Sequence, residues 1–159
     1  RKNHSVIIEA LKRINNPRIH YAIAGDGKLG DYLNEKIKVL GLNNQVHMLG
    51  YRTDISELCN SADVFILPSL QEGLPVALME AMACSTPVLC SKIRGNVDLI
   101  KEDAGFLLSP HDSKGFADAI VKMKDNADML KAFSEKNLSR LDIFSKDYVI
   151  DKVVSLYDV

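Results

Sequence analysis

The sequence predicts an α/β fold, a doubly wound parallel sheet with helices on its faces. Three observations predict it. Segments of helical period alternate with short apolar runs from Val6 to about Ser109. One of those runs, DVFILPS at Asp63 to Ser69, is continuously apolar through its middle, as a strand buried on both faces must be. The first two runs close on glycine, at Gly25 and Gly50, where a strand gives way to a loop.

Taken in order, Val6, Ile7, Ala10, Leu11 and Ile14 recur at helical spacing, and Asn15 to Pro17 ends that helix. HYAIAGDG is a short strand running into a Gly-x-Gly turn at Gly25 to Gly27, and LGDYLNEKIKVLG is the charged helix after it. QVHMLGY is a second strand, DISELCNSA a short helix and DVFILPS the third strand. A helix from about Pro75 to Cys84 follows, then the strand TPVLCS, a short helix around Asn96 to Ile100 and the strand AGFLLS. From Asp112 onward three helical segments, at 112–126, 127–141 and 145–159, succeed one another without a strand between them.

A chain of 159 residues can bury a core without staples, so residues 1–159 are expected to form a single domain. Twenty Lys and Arg stand against 21 Asp and Glu, a formal net charge of -1. That balance gives no global attraction to nucleic acid or an anionic membrane, so any anion must be held by a local site. Cys59, Cys84 and Cys90 show no metal-ligand or redox spacing and read as reduced packing residues. No apolar run approaches the roughly 20 residues of a transmembrane helix, and no signal-peptide pattern is present. The chain begins RKNHSVIIEAL, without an initiator Met and already at a helix start, as a fragment of a longer protein would.

In a doubly wound sheet, ligands bind beyond the carboxyl ends of the strands. That directs attention to the loops at Gly25 to Lys28, Gly50 to Asp54, Pro68 to Pro75 and Ser91 to Asn96. Pro75 suits a first helical turn, where its missing N–H has no intrahelical partner. Free N–H groups around Gly73, Leu74, Val76 and Ala77, with the positive end of the helix dipole, make an anion site suited to a phosphate or diphosphate. Gly73 admits a ligand close to the backbone. Glu80 lies roughly 8 Å further along the axis among apolar neighbours, so a buried carboxylate there needs donors such as ribose hydroxyls. Glu72, on the loop, is placed to accept from a second polyol. Spacing alone leaves two blander roles equally open: Glu72 as a carboxylate favoured by the dipole, and Glu80 as a solvent-facing side chain.

PSLQEGLPVALMEAMACSTPV resembles the donor-site motif of retaining glycosyltransferases of the GT-B class, family four, in which two Glu are separated by seven residues. The likeness extends to RKNHSVIIEAL as the Lys-bearing helix start, AGDG, VHMLGY, ADVFILPS and GFLLSPHD, and so covers the chain from Arg1 to about Asp125. It implies one half of a GT-B fold, a Rossmann-like, nucleotide-sugar-binding domain without its first strand, from a longer two-domain enzyme. By the same resemblance Glu80 binds ribose hydroxyls and Glu72 the donor sugar, while Gly73, Leu74, Pro75 and Val76 line the diphosphate and sugar, Pro75 having no N–H to give. Lys2 matches the diphosphate-binding, catalytic Lys, without its usual Arg partner a few residues earlier. Gly25 and Gly27 line the donor cleft, and the backbone around Gly50 and Tyr51, within Leu49 to Arg52, meets the base. Ser85 departs from the Gly that usually ends the motif helix.

The resemblance further implies a nucleoside-diphosphate sugar as donor, an acceptor sugar or lipid-linked glycan bound through a missing N-terminal domain, and no metal or other cofactor. Transfer in polysaccharide or glycoconjugate synthesis follows, with the fragment inactive alone. The expected location is cytoplasmic, with the longer enzyme peripheral at the inner membrane face. His4, His20, His47 and His111 are scattered and form no nucleophile or metal pattern, and Lys92 and Arg94 read as surface charge. Two rivals remain: a sugar-nucleotide epimerase half, which needs acid and base groups not found here, and a non-enzymatic nucleotide-binding module. A receiver of the flavodoxin-like kind wants acidic residues at strand ends where this chain has Pro68 and Ser69.

Overall fold

The computed structural model describes residues 1–155 and has the alternating α/β order expected. Helix α1 (His4–Ile14) buries Val6, Ile7, Ile8, Ala10 and Leu11, one apolar stripe at helical spacing, and stops at Asn15. Asn15 adopts the left-handed conformation, φ 49°, and its N–H returns to the Leu11 carbonyl, the usual way a helix end satisfies its orphan acceptors. Strand β1 (Tyr21–Ala24) follows, then α2 (Gly30–Val39) and β2 (Val46–Gly50), with β1 and β2 pairing in parallel, Tyr21 opposite Val46. After α3 (Ile55–Ser61) come β3 (Phe65–Leu67), α4 (Val76–Ala83), β4 (Val88–Ser91), α5 (Asn96–Leu99) and β5 (Phe106–Leu108). These three strands form a second parallel set in the order β3-β4-β5. All four residues of β4 are buried, as a central strand covered on both faces requires.

The parallel sheet is built of two parts. Its two-stranded and three-stranded parts do not hydrogen-bond to each other. Between them lies a cavity of about 760 Å³, with β1 on one side, β3 on the other, and Ile7 and Leu11 of α1 and Leu58 of α3 among the side chains that cover it. Tyr21 and Gly25 send their N–H groups to Gln45 and Gly50 on the β2 side, and Phe65 sends its N–H to Pro87 on the β4 side. Strand alternation therefore turns the Ala22 and Ile66 amides into the cavity. The two strands present open edges to one slot.

The chain then closes over the sheet with α6 (Ser113–Lys124), α7 (Ala127–Arg140), a single 3-10 turn (Leu141–Phe144) and α8 (Lys146–Val154). Side-chain caps start three of them, Asp112 accepting from the Gly115 N–H, Asn126 from the Met129 N–H and Ser145 from the Tyr148 N–H. Near the end of α7, Asn137 donates to the Ala104 carbonyl and Arg140 to that of Leu99, tying the helix back to the β4 and β5 side. The last helix expected from sequence is found over its first part, and residues 156–159 lie outside the described residues. No helix among the described residues is long and apolar enough to cross a membrane.

Candidate functional site

All strands run parallel, so the ends of β1, β2, β3 and β4 bring four loops to one edge of the domain. The loop after β3 carries Glu72, and the first residues of the chain are fastened to it. Asn3, in the left-handed conformation at φ 54°, donates its Nδ2 to the Pro68 carbonyl at 3.2 Å and to that of Pro110 at 2.7 Å. The Leu70 N–H donates to the Arg1 carbonyl at 2.8 Å. Lys2, held between these anchors, places its Nζ 2.7 Å from Glu72 Oε1.

The same oxygen accepts from Ser69 Oγ at 2.6 Å. Burial alone would raise the Glu72 pKa, since its side chain is 8% exposed, but the Lys2 and Ser69 hydrogen bonds and the Lys2 charge outweigh it and hold the carboxyl below its usual value. Glu72 is therefore a fixed, ionised acceptor. Lys2, expected on a diphosphate, is here partnered with Glu72 while keeping half of its side chain exposed.

Helix α4 begins beyond Pro75, which is its N-cap, and no side chain caps it. The Leu78 and Met79 N–H groups bond to the Pro75 carbonyl. Leu74 and Val76 are exposed beside this helix start, and a Cβ added to Gly73 would meet nothing within 4 Å, so the backbone is open to a ligand. Of the two placements of Glu80 that spacing left open, the structure has the exposed one: Leu78, Ala81 and Met82 are buried, whereas Val76 and Glu80 are exposed. The apolar neighbours of Glu80 in sequence point the other way round the axis. Glu80 lines the slot described above and has no hydrogen-bond or ion-pair partner among the described residues.

On the far side of the slot, the Gly25 N–H donates to the Gly50 carbonyl at 2.7 Å, joining the loops after β1 and β2. Gly25 has φ 117°, a conformation closed to other residues without strain. Gly27 stands in the open part of the same turn, with nothing near its missing Cβ. Tyr51 is 76% exposed at the end of β2, on a shallow depression shared with Arg52, Thr53 and Asp54. Arg52 is occupied by Asp54, to which its Nε donates at 2.8 Å.

Of the other cations, Arg1 also favours the ionised Glu72 through its charge. Lys92 sits 3.6 Å from Glu102 on the surface, and Arg94 is exposed. His20 and His47 stack at 5.2 Å between ring centroids near the start of β1 and β2, the opposite edge from the loops. His4 is bonded to Tyr21. No group of three His, Cys, Asp or Glu among the described residues could hold a metal ion. Sequence reasoning missed Ser69 and Asn3 as supports of Glu72; the Pro-Ser before the motif was the one signal that pointed there.

Residues 1–140 match the family profile described as glycosyl transferases group 1. The chain is 34% identical over 165 residues to the UDP-Gal:alpha-D-GlcNAc-diphosphoundecaprenol alpha-1,3-galactosyltransferase of Escherichia coli, covering 98% of this chain and 42% of that protein. It is 29% identical to an N-acetylgalactosaminyltransferase of Campylobacter jejuni acting on a diphospho-undecaprenol-linked sugar, covering 91% of this chain and 40% of that one. Among solved structures, Anabaena Alr3699/HepE in complex with UDP-glucose superposes with a TM-score of 0.89 at 25% identity, over 98% of this chain and 45% of that chain. The chain thus spans less than half the length of these relatives. With the profile matched over most of its length, the chain belongs to the glycosyl transferases group 1 family.

Proposed function

We propose that this chain is the donor-binding half of a retaining glycosyltransferase that moves a sugar from a nucleoside-diphosphate sugar to an acceptor in polysaccharide or glycoconjugate synthesis. One observation carries the reading: an ionised Glu72 clasped by Lys2 and Ser69 stands before a helix start without a side-chain cap, with an exposed Glu80, unpartnered among the described residues, further along the same helix. A nucleotide sugar offers a group for each part. Its ribose hydroxyls suit Glu80, its diphosphate suits the backbone of Gly73 to Val76 and Lys2, and the transferred sugar suits Glu72. Gly25, Gly27, Gly50 and Tyr51 border the base end of the same edge.

In the proposed reaction the bond from the anomeric carbon to the diphosphate oxygen breaks, the acceptor hydroxyl oxygen forms the new bond on the same face, and its proton passes to the departing diphosphate. The protein's main contribution is electrostatic, Lys2 and the α4 start meeting negative charge as it develops on the leaving diphosphate. The positive charge these groups supply calls for no metal, and turnover that persists in EDTA is the expected outcome. The diphosphate-undecaprenol acceptors in the relatives' names favour a lipid-linked glycan as acceptor, and a cytoplasmic enzyme working at the inner membrane face.

Calorimetry on the full-length protein tests the division of labour between the two glutamates. Glu80→Ala should weaken UDP and UDP-sugar alike, by roughly 1.5 to 3 kcal/mol for lost bonds to a charged acceptor. Glu72→Ala should leave UDP affinity nearly unchanged while turnover falls and discrimination between donor sugars relaxes. Equal loss of UDP binding in both variants, or no loss in either, would sink the assignment.

A further inference from the structure

The turn between β4 and α5 packs directly beneath the loop that carries Glu72. Gly95, in that turn, is buried, with φ 88° and ψ -53°. A Cβ built on it would stand 2.4 Å from the Gly73 carbonyl oxygen, closer than a side chain can approach, and a tight 3.1 Å from that of Glu72. The Gly95 N–H is itself held, donating to Asp98 Oδ2 at 3.3 Å.

A chain of buried polar groups joins the same two segments. Asn96 Nδ2 donates to the Ser91 carbonyl at 2.9 Å and lies 3.3 Å from Ser91 Oγ. Ser91 Oγ donates to the Ser69 carbonyl at 2.5 Å, and Ser69 Oγ to Glu72 Oε1 at 2.6 Å. Ser69, Ser91 and Asn96 are all fully buried. Asn96 Oδ1 has no partner among the described residues, a cost that an apolar side chain in this place would not incur. The core alone does not favour an Asn here; the bonds its amide makes toward Glu72 do.

We propose that Gly95, Ser91 and Asn96 are positioning residues for Glu72: the β4–α5 turn sets the height of the donor loop, and the Asn96–Ser91–Ser69 chain fixes the direction of the carboxylate. The significance for sugar transfer rests on the donor-binding reading above, but the positioning itself can be measured without any ligand. A side chain at Gly95 lifts the Glu72–Gly73 backbone and parts Glu72 from both Ser69 and Lys2. Loss of the Ser91 hydroxyl frees the Ser69 backbone, which aims the hydroxyl that Glu72 accepts.

The test follows the Glu72 side-chain carboxyl by ¹³C NMR titration in the full-length protein, its resonance identified with Glu72→Gln. Gly95→Ala and Ser91→Ala should each move the Glu72 titration upward toward that of an ordinary glutamate. Ser69→Ala, which deletes the bond itself, sets the size of a full release. A variant that is destabilised without the loop moving leaves this titration where it was. If Gly95→Ala does not fold, Ser91→Ala decides.

With UDP-glucose as the probe donor, turnover should fall on the order of 100-fold for a loop misplaced by about 1 Å. The KM for acceptor should not change. An unchanged Glu72 titration in folded Gly95→Ala and Ser91→Ala overturns the proposal. A shifted titration in a parent protein that binds neither UDP nor UDP-sugars leaves the positioning role standing and removes the donor reading instead.

Discussion

Lys2 is a single cation facing two tasks. In the structure it pairs with Glu72, and in the proposed complex the diphosphate competes for it. With its side chain half exposed, Lys2 can swing between the two at little cost, whereas Glu72, nearly buried and bonded to Ser69, stays in place. Lys2→Met in the full-length enzyme should therefore do two things. It should raise the Glu72 titration, since only the Ser69 hydrogen bond and the Arg1 charge remain against the penalty of burial. It should also lower turnover by roughly 10²-fold or more, the scale of one lost donor to a developing oxyanion. Steady-state kinetics with saturating donor reads the second effect; a turnover within threefold of the parent would show that Lys2 serves only the ion pair. The residue types at this site were legible in the sequence, because two carboxylates, a proline and a glycine at fixed spacing constrain chemistry strongly. Their orientation was not. The residues flanking Glu80 in sequence are apolar, but only the helix axis decides which of them share its side, and Lys2 is 70 positions from Glu72.

At the scale of elements, the order of helices and strands was readable because period and length differ so clearly between, say, Val6–Ile14 and Asp63–Ser69. Pairing was not, since a run of apolar residues specifies burial but leaves open which edge meets which. In the described chain β1 and β3 each keep one edge unpaired. Amide exchange offers a direct check. The Ala22 and Ile66 N–H groups, turned into the slot, should exchange much faster than those of Tyr21 and Phe65, which bond to Gln45 and Pro87 in the adjoining segments. Equal protection across these four amides in the described chain would mean that the two sheet parts are joined in solution. The slot matters to the site because Glu80, Lys2 and Ala24 stand on its rim, so the separation of β1 from β3 also sets the distance between the base-side loops and α4.

For the molecule as a whole, acid stability has a recognisable source at His4. The imidazole is largely buried against α1 and the slot, its Nδ1 is 2.8 Å from the Tyr21 hydroxyl, and burial, aided by the Lys2 ammonium, depresses its pKa from 6.5 to about 4. Burial also raises the Tyr21 pKa, so that hydroxyl keeps its proton and a neutral His4 can accept it. The unfolded chain takes up the His4 proton near pH 6.5 and the folded chain only near pH 4, so between these values the unfolded state binds more protons and acid favours unfolding. His4 thus contributes stability that is fully present above pH 6.5, declines as pH falls, and is lost by about pH 4, on the order of 3 kcal/mol in all. Glu72 adds a loss of the same sign, but only below its model-peptide value of 4.5, because its folded pKa is lowered. The two are separable by where they act. Urea unfolding of the protein from pH 7 to 5 should show a midpoint that falls steadily, and His4→Gln, which can still accept the Tyr21 hydroxyl but does not titrate, should flatten that slope while leaving the steeper loss below pH 4.5. A slope from pH 7 to 5 that survives in His4→Gln would assign the acid sensitivity to groups other than this imidazole.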